Sequence, residues 1–262
     1  MRTFRLTLAY DGTAYAGWQV QAPGHLAVQE VVERALEAVT GQRVRVMASG
    51  RTDAGVHALG QVVSFRSACG LEPDVLLRAM NAHLPADIAV LDAQIAPDDF
   101  HATFSARCKR YRYAIHNHPI RDVFRRHTSW HYPRPLDVPA MHEAAQVLRG
   151  THDFGSFQTS GSHRQSTVRT IFDIEVRRGS GEDRHMVYIE VEADGFLYNM
   201  VRAIVGTLVE VGRGRRDAAW VAHVLNSRDR RLAGRTAPPH GLCLLRVDYG
   251  GPARTPPRPP AE

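Results

Sequence analysis

The chain has 262 residues, and 33 lysines plus arginines stand against 27 aspartates plus glutamates, a net charge of +6. Its 44% hydrophobic content suffices for a packed core and excludes a disordered chain. No apolar run approaches the roughly 20 residues that cross a bilayer, and the start MRTFRLTLAYDGT lacks the apolar stretch of a signal peptide, so a soluble cytoplasmic protein is expected. Thr3–Ala9 (TFRLTLA) alternates with period two and predicts a strand. Tyr10–His25 is a loop rich in Gly, Gln and aromatic residues. Val28, Val31, Val32, Ala35, Leu36 and Val39 keep the i, i+3, i+4 spacing of a helix, with Gly41 beyond its end. Arg43–Met47 (RVRVM) and Gln61–Phe65 (QVVSF) alternate as strands and enclose a loop, Ser49–Gly60. Pro73 opens a short helix around Val75–Ala82, and Ile88–Ile95 (IAVLDAQI) is a further strand. The order β-α-β-β-α-β is that of a ferredoxin-like unit.

The second half follows the same plan. Arg107–His116 (RCKRYRYAIH) reads as a strand, and a long loop, Asn117–Leu136, carries Pro, His and Arg. Pro139–Arg149 reads as a helix with Met141, Ala144, Ala145 and Leu148 on one face. Thr167–Arg177 and Met186–Ala193 form a hairpin around Gly179–Gly181. Phe196–Val211 and Ala218–Leu225 are helical, and Leu242–Tyr249 is the final strand. The pattern predicts an α+β protein whose two antiparallel sheets join along an edge, with helices on one face and a cleft on the other. The expected division is 1–105 and 106–249, with a disordered Pro-rich tail at 250–262. The halves share pattern, not sequence identity.

Charge and motifs narrow the function. Lys109 is the sole lysine, and arginine forks bind phosphate bidentately and stack on bases. A pI near 9.6 favours a polyanionic partner. Cys69, Cys108 and Cys243 lie far apart with no CxxC pair, which argues against a zinc ribbon, a redox motif and a disulfide framework. His116 and His118 form an HxH pair and His127 and His131 are four apart, yet nothing completes a tetrahedral set, so no metal site is assigned. The loop ASGRTDAGVHALG (48–60) gathers Ser49, Arg51, Thr52, Asp53 and His57 among three glycines. Loop physics alone leaves two readings open: a functional loop on a rigid sheet, or a glycine-rich turn whose Asp caps a short helix.

GRTDAGVHA resembles the signature of the TruA-type tRNA pseudouridine synthases, with Asp53 at the position of the family's catalytic aspartate. FHATFSARCKRYRY (100–113), ADGFLYNMVRAIVGTL (193–208), APPHGLCL (237–244) and AYDGTAYAGWQVQ (9–21) match further family blocks in the right order. The polar stretch Thr159–Gln165 (TSGSHRQ) is the one departure. The resemblance implies two ferredoxin-like halves sharing a continuous, mainly antiparallel sheet, with helices on one face and a catalytic cleft between the halves. It implies isomerisation of uridine to pseudouridine at positions 38, 39 and 40 of the tRNA anticodon stem-loop. It further implies that no cofactor is needed and that the enzyme is a homodimer, with no DNA or membrane partner. The competing reading is a non-catalytic RNA-binding protein on ferredoxin-like platforms, which wants aromatics on a central strand and leaves the loop aspartate unexplained.

Residue types give these implications their chemistry. A carboxylate adds and leaves readily, which suits Asp53 as the nucleophile. A guanidinium keeps it ionised in a half-closed pocket, and Arg202 lies off the apolar stripe of Leu197, Met200, Val201, Ile204, Val205 and Leu208. By resemblance, Arg202 pairs with Asp53, Arg51 helps hold a flipped-out base, and Tyr111 stacks on the uracil. Alternation in CKRYRY puts Lys109, Tyr111 and Tyr113 on one face and Cys108, Arg110 and Arg112 on the other. Phosphate contacts are expected from Arg107, Lys109, Arg110, Arg121, Arg125 and Arg126. The tract RDVFRRHTSWH (121–131) mixes cations with Phe124 and Trp130 as an RNA-facing loop would. His57 is expected to orient its loop or touch RNA.

Overall fold

Alternating burial builds the sheet first. In β1 (Arg2–Tyr10), Phe4, Leu6 and Leu8 are fully buried while Arg5, Thr7 and Ala9 are not. Phe4 stacks on Phe65 of β3 (His57–Ser67), and Leu6 pairs with Val63. Each such side chain contributes about 1.5–3 kcal/mol relative to exposure. The computed structural model describes residues 1–21, 24–159 and 166–250. Between β1 and β3 lie α1 (Val28–Thr40) and β2 (Met47–Ala48); α2 (Pro73–His83) and β4 (Ile88–Ala96) follow. The second half runs β5 (Cys108–His116), β6 (Trp130–His131), α3 (Val138–Gln146), β7 (Gly150–Asp153), β8 (Val168–Arg178), β9 (Met186–Ala193), α4 (Met200–Gly212), α5 (Ala218–Ser227) and β10 (Leu242–Asp248).

These strands form a single sheet in the order β4-β1-β3-β10-β5-β9-β8-β7, with β2 on β3 and β6 on β5. In the first half β1 sits between β4 and β3 with β2 outside β3; in the second, the short β6 and β7 aside, β5 sits between β10 and β9 with β8 outside β9, the order of a ferredoxin-like unit in both. Pairing is antiparallel except for β5–β6 and the junction of the halves, where Cys243 and Leu244 of β10 run parallel to His57 and Ala58 of β3. The free edge of β3 is thus divided: β2 takes Val63 and Ser64, and β10 takes the end nearer the Asp53 loop. Gly60 permits this junction, because a Cβ there would lie 2.4 Å from the Leu245 carbonyl oxygen. The α+β class and the shared, mainly antiparallel sheet agree with expectation. One contiguous core runs through both halves, and no helix among the described residues is long and apolar enough to cross a membrane.

Boundaries differ where side chains take over backbone roles. The expected strand Arg43–Met47 shrinks to Met47–Ala48, since the Val46 N–H donates to the Glu33 carboxylate instead of a ladder. The expected loop Ser49–Gly60 ends at Val56, because β3 already begins at His57. The helix expected from Phe196 starts at Met200: Asn199 adopts a left-handed conformation (φ +60°) that interrupts the apolar run. Nor is α4 striped as expected; all its residues except Arg202 and Glu210 are buried, so it is a central helix. β6 and β7, at two and four residues, are too short to show periodicity. Residues 251–262 of the tail and 160–165 of the polar stretch lie outside the described residues.

Candidate active site

The loop 49–56 is gripped by hydrogen bonds, most of them between neutral groups, and by close backbone packing. Thr52 is buried, its Oγ1 2.8 Å from the Tyr10 hydroxyl, and its carbonyl accepts the Trp18 N–H at 3.0 Å. Ser49 Oγ donates to Gln61 Oε1 (2.6 Å), and Gln61 Nε2 donates to the Gly50 carbonyl (2.8 Å). Gly17 has φ +97°, and a Cβ there would lie 2.6 Å from the Thr52 oxygen, so only glycine lets the 10–21 loop approach this closely. The Val56 N–H closes a turn onto the Asp53 carbonyl at 3.1 Å, with Gly55 at φ +75°. Asp53 therefore projects from a fixed bend with its side chain 27% exposed.

Its partner comes from the other half of the chain. Arg202, in the first turn of α4, places Nη1 3.1 Å from Asp53 Oδ2 and 2.7 Å from Asn199 Oδ1. Nε donates to the Ala237 carbonyl at 2.8 Å, and the Ala237 N–H returns to the Arg202 carbonyl at 3.1 Å. The left-handed Asn199 thus ends the apolar turn and also accepts from the guanidinium. With 15% of its side chain exposed, Arg202 is held by three acceptors and has little freedom to leave the carboxylate.

Tyr111 is buried on β5, edge-on to Phe196 with ring centroids 5.0 Å apart. Burial holds its phenol well above the usual tyrosine range, and the neighbouring Tyr10 and Asp53 push the same way. It stays protonated through the physiological range, so it offers a ring and an O–H but no phenolate base. Phe196 was not singled out from sequence, although it lies inside the ADGFLYNMVRAIVGTL block that carried the resemblance.

The expected phosphate ligands divide into two groups. Arg107, Arg121 and Arg126 are exposed, and so is Arg51, expected instead to help hold the flipped base. Lys109, Arg110 and Arg125 are engaged within the protein instead. Lys109 Nζ donates to the Ser49 carbonyl at 2.7 Å, tying β5 to the Asp53 loop. Arg110 sits among carboxylates, 2.8 Å from Glu190, 2.9 Å from Asp173 and 3.5 Å from Glu192, with 17% of its side chain exposed. Arg125 bonds Asp183 at 2.6 Å and Asp122 at 3.4 Å. Strand alternation placed Arg110 on the right face, but only tertiary pairing shows that β9 answers it with Glu192 and Glu190.

His57 orients the loop, as expected of it. Nδ1 accepts the Gly12 N–H at 3.0 Å, which leaves the proton on Nε2, shared between the carbonyls of His127 (2.8 Å) and His240 (3.1 Å). One buried ring thereby joins three separate segments beside Asp53. At the same junction a cavity of about 530 Å³ opens, lined in part by His57, Leu59, Arg112, Tyr188 and Cys243. Although the His116, His118 and His185 rings lie 4.4–6.4 Å apart, no group of three or more His, Cys, Asp or Glu among the described residues is placed to hold a metal ion.

Comparison with known proteins adds to this geometry. The family profile described as tRNA pseudouridine synthase matches residues 7–105 and 144–250. The chain is 50% identical over 246 residues to tRNA pseudouridine synthase A of Shouchella clausii, covering 94% of this chain and 92% of that protein. It is 47% identical to the Pelobacter propionicus protein of the same name, over 95% of this chain and 100% of that one. The Myxococcus xanthus protein of that name is 48% identical, over 98% and 96%. With a family match that includes the Asp53 loop and the Arg202 helix, and relatives about half identical over nearly the whole chain, the chain belongs to the tRNA pseudouridine synthase family.

Proposed function

We propose that this chain converts uridine to pseudouridine at positions 38, 39 and 40 of the tRNA anticodon stem-loop, with Asp53 as nucleophile. Family membership supports the reaction, and the Asp53–Arg202 pair is the observation that carries the residue assignment. The reaction breaks the N1–C1′ bond and forms C5–C1′; the proton lost from C5 is balanced by one gained at N1. It is redox-neutral and consumes no water, so its balance needs no nicotinamide, flavin or hydrolytic metal.

The base must first leave the stack, at a cost of a few kcal/mol. Arg51, exposed two residues before Asp53, helps hold the flipped-out base in this reading. The uracil then lies against the Tyr111 ring, where an aromatic platform is worth about 1–3 kcal/mol per base. The Asp53 carboxylate, paired with Arg202, adds to the nucleotide and frees the uracil to turn over. Once C5 has bonded to C1′, the carboxylate departs. Tyr111, held protonated, steadies the ring throughout and does not remove the C5 proton as a phenolate.

Exposed Arg107, Arg121 and Arg126 supply phosphate contacts for this reading. The enzyme acts as a homodimer in the cytoplasm, where its substrate is found. The test is incubation with an unmodified tRNA transcript, followed by mapping of pseudouridine and of strand breaks. Pseudouridine at 38–40 with an intact strand is expected. Binding without any conversion, or cleavage of the strand, would overturn the reading.

A further inference from the structure

Phe104 is 83% exposed, an unusual position for a ring that alternation would bury or a flexible loop would hide. Its mount is rigid. Ser105 Oγ accepts the His101 N–H at 3.1 Å, and the Ser105 N–H returns to the His101 carbonyl at 2.9 Å. His101 Nδ1 accepts the Thr103 N–H at 3.1 Å, and the imidazole lies under the Phe104 ring with centroids 4.4 Å apart. The adjoining Ala102 is fully buried; its N–H donates to Ser64 Oγ at 3.0 Å and its carbonyl accepts the Tyr249 hydroxyl at 2.7 Å.

This turn is fastened to both strands that flank the Asp53 loop. Thr103 Oγ1 donates to the Ala48 carbonyl of β2 at 2.6 Å, and Ser64 belongs to β3. Ala48 to Asp53 spans at most about 17 Å of chain, the length of about five stacked nucleotides at 3.4 Å each. Polar and cationic residues surround the ring along the chain: Thr103, Ser105, Arg107 and Lys109. An exposed ring on a polar turn tied beside the Asp53 loop offers a face on which a nucleobase can stack.

We infer that Phe104 is a stacking platform for a second, unpaired base of the tRNA, a few nucleotides from the uridine at Asp53. The inference rests on the proposed substrate and goes beyond it by assigning a recognition residue outside the Asp53–Arg202–Tyr111 group. The His101 imidazole beneath the ring fixes its tilt, so little freedom is lost when a base arrives.

The test uses the full chain and tRNA transcripts carrying 2-aminopurine at single positions near the target uridine. Phe104→Ala should weaken tRNA binding about tenfold and abolish the quenching of one labelled base that the unaltered enzyme causes. Phe104→Trp should keep both, and Phe104→Leu, apolar but without a π face, should behave like alanine. Thermal midpoints should barely change, because the ring is in solvent. Equal affinity and quenching in Phe104→Ala, or full function in Phe104→Leu, would overturn the inference. A change in sedimentation with unchanged quenching would overturn it too, assigning the ring to a protein contact. If the unaltered enzyme made no pseudouridine, the proposed reaction would fail, and the binding measurement would still decide the role of Phe104.

Discussion

The Asp53 loop and the Arg110–Glu190 cluster lie on one sheet and are held by different forces. Around Asp53 the grip is mostly neutral: hydroxyls, amides and backbone groups meet at 2.6–3.0 Å, glycines let two loops touch, and the Lys109 ammonium adds one charged bond to the Ser49 carbonyl. Around Glu190 the grip is ionic, with Arg110, Arg112 and Arg177 converging on one carboxylate that is 9% exposed. This arrangement sets the Asp53 carboxylate against the Arg202 guanidinium, which Asn199 and Ala237 hold in place. The ionic arrangement consumes cations that the charge count alone assigns to RNA. A surplus of arginine is therefore a poor guide to which arginines meet phosphate.

The comparison can be broken most severely where the halves meet. Asp53→Asn removes the proposed nucleophile and should lower pseudouridine formation by about four orders of magnitude or more, with tRNA affinity kept, as read by single-turnover conversion and filter binding. Arg202→Lys keeps a positive charge but cannot serve Asp53, Asn199 and Ala237 together; a loss of about a hundredfold in kcat with KM little changed is expected. Gly17→Ala tests the neutral grip alone. It forces a Cβ against the Thr52 oxygen at positive φ and should cost about 2–3 kcal/mol, equally at every pH, in denaturant titrations.

Glu190→Gln tests the ionic grip and should show the smallest, pH-dependent effect. Burial raises the Glu190 carboxyl, but the bonds from Arg110 and Arg112 outweigh it and leave it below its usual range. A group depressed on folding contributes stability above its unfolded value, about 4.3 for Glu, and loses that contribution as pH falls below it. At pH 7 the substitution should cost about 1–2 kcal/mol, less than for a fully buried pair because Arg112 and Arg177 remain partly wetted. Thermal midpoints measured from pH 7 to pH 3 should show the gap to the unaltered protein closing below pH 4. A gap constant across that range would place Glu190 outside the ionic balance.

Much of this was legible from the chain. Helices α1 and α2 and strands β1, β4 and β9 follow from periodicity, because each has one buried face or one buried run. The pairing of Asp53 with Arg202, 149 positions apart, came from motif resemblance; no local pattern joins them. What stayed illegible depends on partners distant in sequence. Asn199 breaks a run whose hydrophobicity continues, and Glu33 takes the hydrogen bond that would have lengthened β2. Arg110 looks like any solvent-facing cation until β9 is laid beside it.

Strand β10 follows every other strand in chain order yet lies mid-sheet, with β3 on one flank and β5 on the other. During synthesis those two flanks stay bare until Leu242–Asp248 has left the ribosome, and bare strand edges invite pairing with other chains. The Ala237 carbonyl that steadies Arg202 arrives only just ahead of that strand. A backbone group that steadies the counter-cation of Asp53 is thus synthesised long after the acid itself, just ahead of the strand that fills the gap between β3 and β5.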